Sequence, residues 1–255
     1  MLVKLNFVTL GLFLLCSVAC VSKPGTRDEI LVFAAVSLAD VLKDVSASYE
    51  NRSSTTVTIN YGGSQMLAQQ IASGAQADLF ISAGASPMEF LVTRDIVGSN
   101  KIDLLSNKMV LVAKYGRFKL DSLDALRSTD IHRIALANPE FAPAGIYAKQ
   151  SLSNLGLWQD LKGKLVFSSD VRVALTYVES GNVDVAFVYE TDVQETRELK
   201  ILDIVPIESY SPIVYPAALI NRSNQTQSSH KFLEFLQSQT ASGIFKNRGF
   251  HVIEP

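Results

Sequence analysis

Beyond residue 20 the chain has no cysteine: both of its cysteines, Cys16 and Cys20, fall in the first twenty of 255 residues. A disulfide framework, a thiolate zinc site and a thiol redox motif are therefore excluded from the body of the protein. Histidine is almost as scarce. His132 stands before an apolar run, while His230 and His251 lie in the C-terminal tail, so no histidine accompanies a serine that could act as a nucleophile. Neither paired histidines nor a cluster of carboxylates supplies a cation site. Excess positive charge is missing as well: the net charge is −2, the isoelectric point is near 5.9, and no run of Lys and Arg makes a local exception. Nucleic acid is thereby excluded as a partner.

With 47% hydrophobic and 19% charged residues, the chain suits one large globular domain or two lobes, each with a substantial core. Residues 1–19 stand apart. Lys4 gives a short positive end, Leu10 to Val18 an apolar core too short for a comfortable membrane span, and Ser17-Val18-Ala19 precedes Cys20. This is an export signal with two processing routes: cleavage by ordinary signal peptidase, or lipoprotein processing that leaves an acylated Cys20 as the new N-terminus. Residues 20–27 have linker composition and suit a tether.

One stretch organises the remainder. Ile134 to Ala137 reads as a buried strand, Pro139 and Pro143 interrupt it, and a helical pattern starts after Pro143 and ends at Gly156. The N–H groups of Ala144, Gly145 and Ile146 then face outward at the positive end of a helix dipole, where an anion is the natural occupant. Three further strand-turn-helix units share the scheme. Ile30 to Ala35 leads to Ser37, placed as a helix cap with Asp40 completing a capping box. Thr56 to Tyr61 leads through Gly62-Gly63 to Ser64, and Leu165 to Phe167 leads to Asp170, a cap that leaves the Val171 N–H free. Val183 to Tyr189 forms another strand, ending on a hydroxyl. Two long apolar runs, Lys108 to Lys114 and Ile213 to Ile220, fit crossings between lobes, and Ser229 to Gln239 fits an amphipathic tail helix. The alternation predicts α/β architecture with mainly parallel sheets and a ligand beyond the carboxyl ends of the strands.

Five segments now stand in order: Val32-Phe33-Ala34-Ala35-Val36-Ser37-Leu38, Gly74 to Ala83, Pro143-Ala144-Gly145-Ile146-Tyr147-Ala148-Lys149, Asp170-Val171-Arg172 and Val188-Tyr189. Together they resemble the molybdate-binding proteins of bacterial ABC transporters over nearly the whole mature chain. The resemblance implies a type II periplasmic-binding-protein fold with two lobes, each a mostly parallel sheet flanked by helices, joined by two crossing strands. Lobe 1 is expected at 28–110 and 215–255, and lobe 2 at 111–214. It also implies an exported, monomeric, non-enzymatic protein without a cofactor, held at the membrane at most by a lipid on Cys20. Such a protein takes up molybdate or tungstate and hands it to a membrane permease. The family's ligand contacts fall on Ser37, Ser64, Ala144, Val171 and Tyr189, meeting the metal only as its oxyanion. The run Gly62-Gly63-Ser64-Gln65-Met66 departs from the family's serine-rich pattern.

Every transferred group is a neutral hydrogen-bond donor, which suits a fully ionised oxyanion and leaves the proton of hydrogen phosphate without an acceptor. Arg172 and Lys149 are expected to face solvent or form ion pairs. Binding of sulfate or thiosulfate on the same fold, and a serine-dependent enzyme, are the alternatives.

Overall fold

The computed structural model describes residues 28–98, 101–194, 196–221 and 227–254. The export-signal, linker and Cys20 assignments lie outside the described residues. Among the described residues no helix is long and apolar enough to cross a membrane.

The chain opens with β1 (Asp28–Ala35), a 3-10 turn (Val36–Leu38), α1 (Ala39–Glu50), β2 (Thr55–Gly62), α2 (Ser64–Ala72), β3 (Leu79–Ile81) and α3 (Ala85–Val92). Then come β4 (Ile102–Asn107), β5 (Met109–Lys114), β6 (Ile134–Ala137), α4 (Pro143–Asn154), α5 (Trp158–Leu161), β7 (Leu165–Ser168), α6 (Val171–Glu179) and β8 (Val185–Tyr189). The last elements are β9 (Leu199–Ile204), β10 (Ile213–Leu219), α7 (Gln227–Leu236), α8 (Gln239–Asn247) and β11 (His251–Val252).

These strands form two sheets, in the orders β11-β4-β10-β3-β1-β2 and β7-β6-β8-β5-β9. Lys108 alone separates β4 in the first sheet from β5 in the second, and residues 205–212 bring the chain back. Both sheets are mixed, where mainly parallel sheets were expected. β1 runs parallel to β2 and β3, and β6 parallel to β7 and β8, but β10 and β5 are antiparallel to the strands beside them. Both are the strands by which the chain enters a sheet from its neighbour. A short connection of this kind needs no parallel crossover helix. The short C-terminal strand β11 adds a further antiparallel pair, with β4.

Strands β1, β6 and β8 are buried on both faces over most of their length, so they read in the sequence as continuous apolar runs. Pro216 fits within β10 because the pairing with β4 shifts register between Tyr215 and Pro216, a bulge at the residue without an N–H. Strands β4, β9 and β11 and helix α8 carry weaker patterns and escaped the sequence. In α8, Gly243 and two hydroxyl residues dilute the helical signal.

The capping box of Ser37 and Asp40 does not form. The 3-10 turn is inserted before α1, so Leu38 holds the N-cap position without a side-chain bond, and the Ser37 hydroxyl is released from that task. Asp170 does cap α6, its Oδ1 accepting the Val173 N–H at 3.0 Å.

Gly145, in the first turn of α4, lies against the end of β6 so closely that a Cβ there would collide with the Ala137 carbonyl. That contact fixes the helix N-terminus against its strand. Gly145→Ala is expected to lower stability by about 1–3 kcal/mol in urea titrations, while Gly163→Ala, which meets open space, leaves the midpoint near that of the parent. An unchanged midpoint for Gly145→Ala would show that α4 can shift freely.

Candidate functional site

Parallel pairing sets the geometry of the site. Ala35 is in register with Gly62 in the first sheet, and Ala137 with Ser168 in the second, so β1 and β2 end side by side, as do β6 and β7. Each of these strands passes directly or through a short turn into a helix. Four helix starts therefore emerge at strand carboxyl ends, two from each sheet. They enclose a cavity of about 20 Å³ lined by residues 35–37, 62–64, Ala83, residues 142–144, Asp170, Val171 and Tyr189. Sites for organic ligands have roughly 300–1,000 Å³, so a space of this size suits a small ion.

All five residues singled out in the sequence line this cavity. Ser64 opens α2 and is 1% exposed; its Oγ accepts the Ala83 N–H at 3.0 Å, leaving the hydroxyl proton to turn elsewhere. Ser37 lies 3.5 Å from the hydroxyl of Tyr215, which also accepts Nδ2 of Asn107 at 3.1 Å. Tyr189, at the end of β8, donates over a long 3.4 Å to the carbonyl of Ala83, which lies just past β3 of the other sheet. Of the three N–H groups expected to be free in α4, Gly145 and Ile146 both bond the Ala142 carbonyl, at 3.0 and 3.3 Å. The turn tightens there, and Ala144 retains the N–H without an acceptor among the described residues. Val171 does the same at the first position of α6.

Burial holds the Tyr189 phenol well above its ordinary pKa, with the neighbouring Tyr215 adding to the effect, so it is a neutral donor. Among the described residues no Lys, Arg or His lines the cavity. Asp170 is its one carboxylate among the described residues, and both oxygens are engaged, Oδ1 by the Val173 N–H and Oδ2 by the Ser169 hydroxyl at 3.0 Å. Arg172 and Lys149 behave as expected: Arg172 forms ion pairs, and the Lys149 ammonium lies 5.5 Å over the Trp158 ring.

The two sheets meet around the cavity. An added Cβ at Gly84 would come within 3.0 Å of Pro143 and the Tyr147 hydroxyl, and one at Gly63 within 3.3 Å of the Phe141 carbonyl. Asn107, just before the first crossing, bonds Thr191 beyond β8 at 2.8 Å as well as Tyr215.

A family model described as bacterial extracellular solute-binding protein matches residues 30–251. The chain belongs to this family of solute-binding proteins. It is 37% identical over 239 residues to a putative ABC transporter substrate-binding lipoprotein of Bacillus subtilis, covering 91% of each chain. It is 34% identical over 230 residues to the molybdate-binding protein of Escherichia coli, covering 88% of this chain and 89% of that one. Among solved structures, the substrate-binding domain of a putative molybdenum ABC transporter from Clostridium difficile superposes with a TM-score of 0.70 at 36% identity, covering 89% of this chain and 99% of that one. The α/β solute-binding fold is thus the periplasmic-binding-protein fold, and the relatives are transport proteins rather than enzymes.

Behind the site, sequence reasoning missed Tyr215, Asn107 and Asp192. Tyr215 sits in a run that reads as plain strand, although a buried tyrosine needs a partner for its hydroxyl. The Asp192 side chain is fully buried; its Oδ2 accepts the Tyr189 N–H at 3.0 Å, and its Oδ1 lies 3.1 Å from Arg172 Nε without hydrogen-bond geometry. Burial pushes its pKa from 3.8 up to about 6, against the lowering influence of Arg172. A folded pKa above the unfolded one means that this carboxyl's contribution is fully present below about pH 3.8 and is lost as pH rises towards 6. The parent should therefore lose stability relative to Asp192→Asn between about pH 4 and 6 in denaturant titrations. Parallel stability curves across that interval would contradict the buried-acid assignment.

Proposed function

We propose that this solute-binding protein takes up molybdate, and equally tungstate, in the cavity between the two sheets and delivers it to the membrane permease of an ABC transporter. The observation that carries the proposal is the convergence of five neutral donors from four helix starts and one strand end on a small cavity, with no lining cation among the described residues and with its carboxylate already engaged. In the proposed complex the hydroxyls of Ser37, Ser64 and Tyr189 and the N–H groups of Ala144 and Val171 replace the hydration shell of a dianion. Such a set satisfies acceptors only, which favours a fully ionised oxyanion over hydrogen phosphate.

Sulfate meets the same chemical requirement, so hydrogen bonding alone does not select against it. The relatives in Escherichia coli and Clostridium difficile, described by molybdate and molybdenum, support the larger tetrahedron. All five donors come from one chain, which suits a monomer. The two sheets are the lobes that shut on the anion, divided within a few residues of the expected 28–110 and 215–255 against 111–214, since β5 of the second sheet begins at Met109 and β10 of the first at Ile213. Cys20 is proposed as the lipid-bearing first residue of the mature protein at the outer face of the cytoplasmic membrane. The Ala19-Cys20 junction and the lipoprotein relative in Bacillus subtilis support this.

A thermal-shift panel tests the ligand. Molybdate and tungstate should each raise the melting temperature, since a ligand at a hundred times its dissociation constant adds about 2.7 kcal/mol, while sulfate and phosphate should do much less. Equal shifts with all four would overturn the assignment. The donors are tested by calorimetry: Ser64→Ala or Tyr189→Phe removes one hydrogen bond to a charged group, worth about 1.5–3 kcal/mol, and should weaken molybdate binding roughly tenfold to a hundredfold. Unchanged affinity in both variants would remove these hydroxyls from the site.

A further inference from the structure

Arg172 directly follows the Val171 donor, yet its side chain points away from the cavity lining and into a larger polar cleft of about 560 Å³ on the other side of Ser37. There it stands between two carboxylates of different origin. Asp192 belongs to its own lobe and is fixed from behind, holding the Tyr189 N–H through Oδ2 while its Oδ1 faces Arg172 Nε at 3.1 Å. Asp40 belongs to the opposite lobe, in the first turn of α1, three residues after Ser37; its Oδ2 accepts Arg172 Nη2 at 2.5 Å. The Arg172 side chain is 29% exposed, that of Asp40 50% and that of Asp192 0%. Burial disfavours the guanidinium charge, but Asp192 and Asp40 outweigh it and hold the arginine pKa above its ordinary value. The helix α6 that carries Arg172 also packs against the 3-10 turn that carries Ser37. The chain of contacts Asp40, Arg172, Asp192, Tyr189 thus runs from a helix of one lobe to the backbone N–H of a residue of the other whose hydroxyl is an expected ligand.

We propose that Arg172 and Asp40 are positioning residues that hold the lobes shut over the anion without touching it. The Arg172–Asp192 pair lies within one lobe and persists when the lobes part. The Arg172–Asp40 bond spans the lobes and exists in the shut state alone. Its contribution therefore falls on release of the ligand and not on capture, because diffusional encounter takes place with the bond unmade. With the capping box displaced by the 3-10 turn, the Asp40 carboxylate is available to the opposite lobe.

This inference rests on the proposed anion site, and the test separates the two. Radiolabelled molybdate is bound to the full-length protein and chased with unlabelled molybdate, and capture is measured separately by rapid mixing. Asp40→Asn should release the label about fivefold faster, as expected for an ion pair partly open to solvent, with an unchanged capture rate. Asp40→Glu, which keeps the carboxylate, should restore most of the slow release. In an Arg172→Gln background, Asp40→Asn should have no further effect, since the two residues act as one unit. Equal release rates for Asp40→Asn and parent, or equal losses with Asp40→Glu and Asp40→Asn, would overturn the inter-lobe bond. If the parent binds sulfate and not molybdate, the ligand assignment fails and the same kinetics with labelled sulfate decide the bond. A parent that binds none of these anions overturns both.

Discussion

In the proposed reading, taking an anion out of water without a matching cation is the constraint on which the rest of this structure depends. Desolvation of an ion costs many kcal/mol unless fixed dipoles replace its hydration shell, and each helix start supplies only about 0.3–2 kcal/mol of favourable field. One helix is insufficient, so several must point at one spot. The parallel pairs β1–β2 and β6–β7 achieve this by ending in register, Ala35 beside Gly62 and Ala137 beside Ser168, which sets four helix starts around a common space. Gly145 then lets α4 approach its own strand closely enough to aim the Ala144 N–H.

The same constraint explains what keeps charge away from the cavity. Asp170 is tied to Val173 and Ser169, and Arg172 is drawn off by Asp40 and Asp192, so the space is left to hydroxyls and N–H groups. Tyr189 remains a neutral donor because burial opposes its ionisation. Behind it, Asp192 is a buried acid that secures the Tyr189 backbone at some cost in stability at neutral pH, and Tyr215 and Asn107 tie Ser37 to the first crossing between the sheets.

Much of this was legible in the residues, and what was not has identifiable causes. The double-sided strands announce themselves as apolar runs, and Pro143, Gly62-Gly63 and Asp170 mark where helices begin. The five expected ligand residues among the cavity lining follow from those marks together with the family resemblance. The sense of the sheets was not legible, because β5 and β10 have the same apolar composition whether they pair parallel or antiparallel. Ser37 was read as a cap because a serine before an apolar helix usually is one; the intervening 3-10 turn packs against α6, a contact that no local pattern carries. The pairing of Arg172 with Asp40, 132 residues apart, belongs to the same non-local class.

The most direct test of the account is anomalous diffraction at the molybdenum absorption edge from crystals grown with molybdate. A single strong peak is expected between the sheets, with the oxygens around it within hydrogen-bonding distance of the Ser37, Ser64 and Tyr189 hydroxyls and the Ala144 and Val171 N–H groups. A peak in the larger cleft beside Arg172, or at any place where a lysine or arginine side chain is the principal contact, would contradict it.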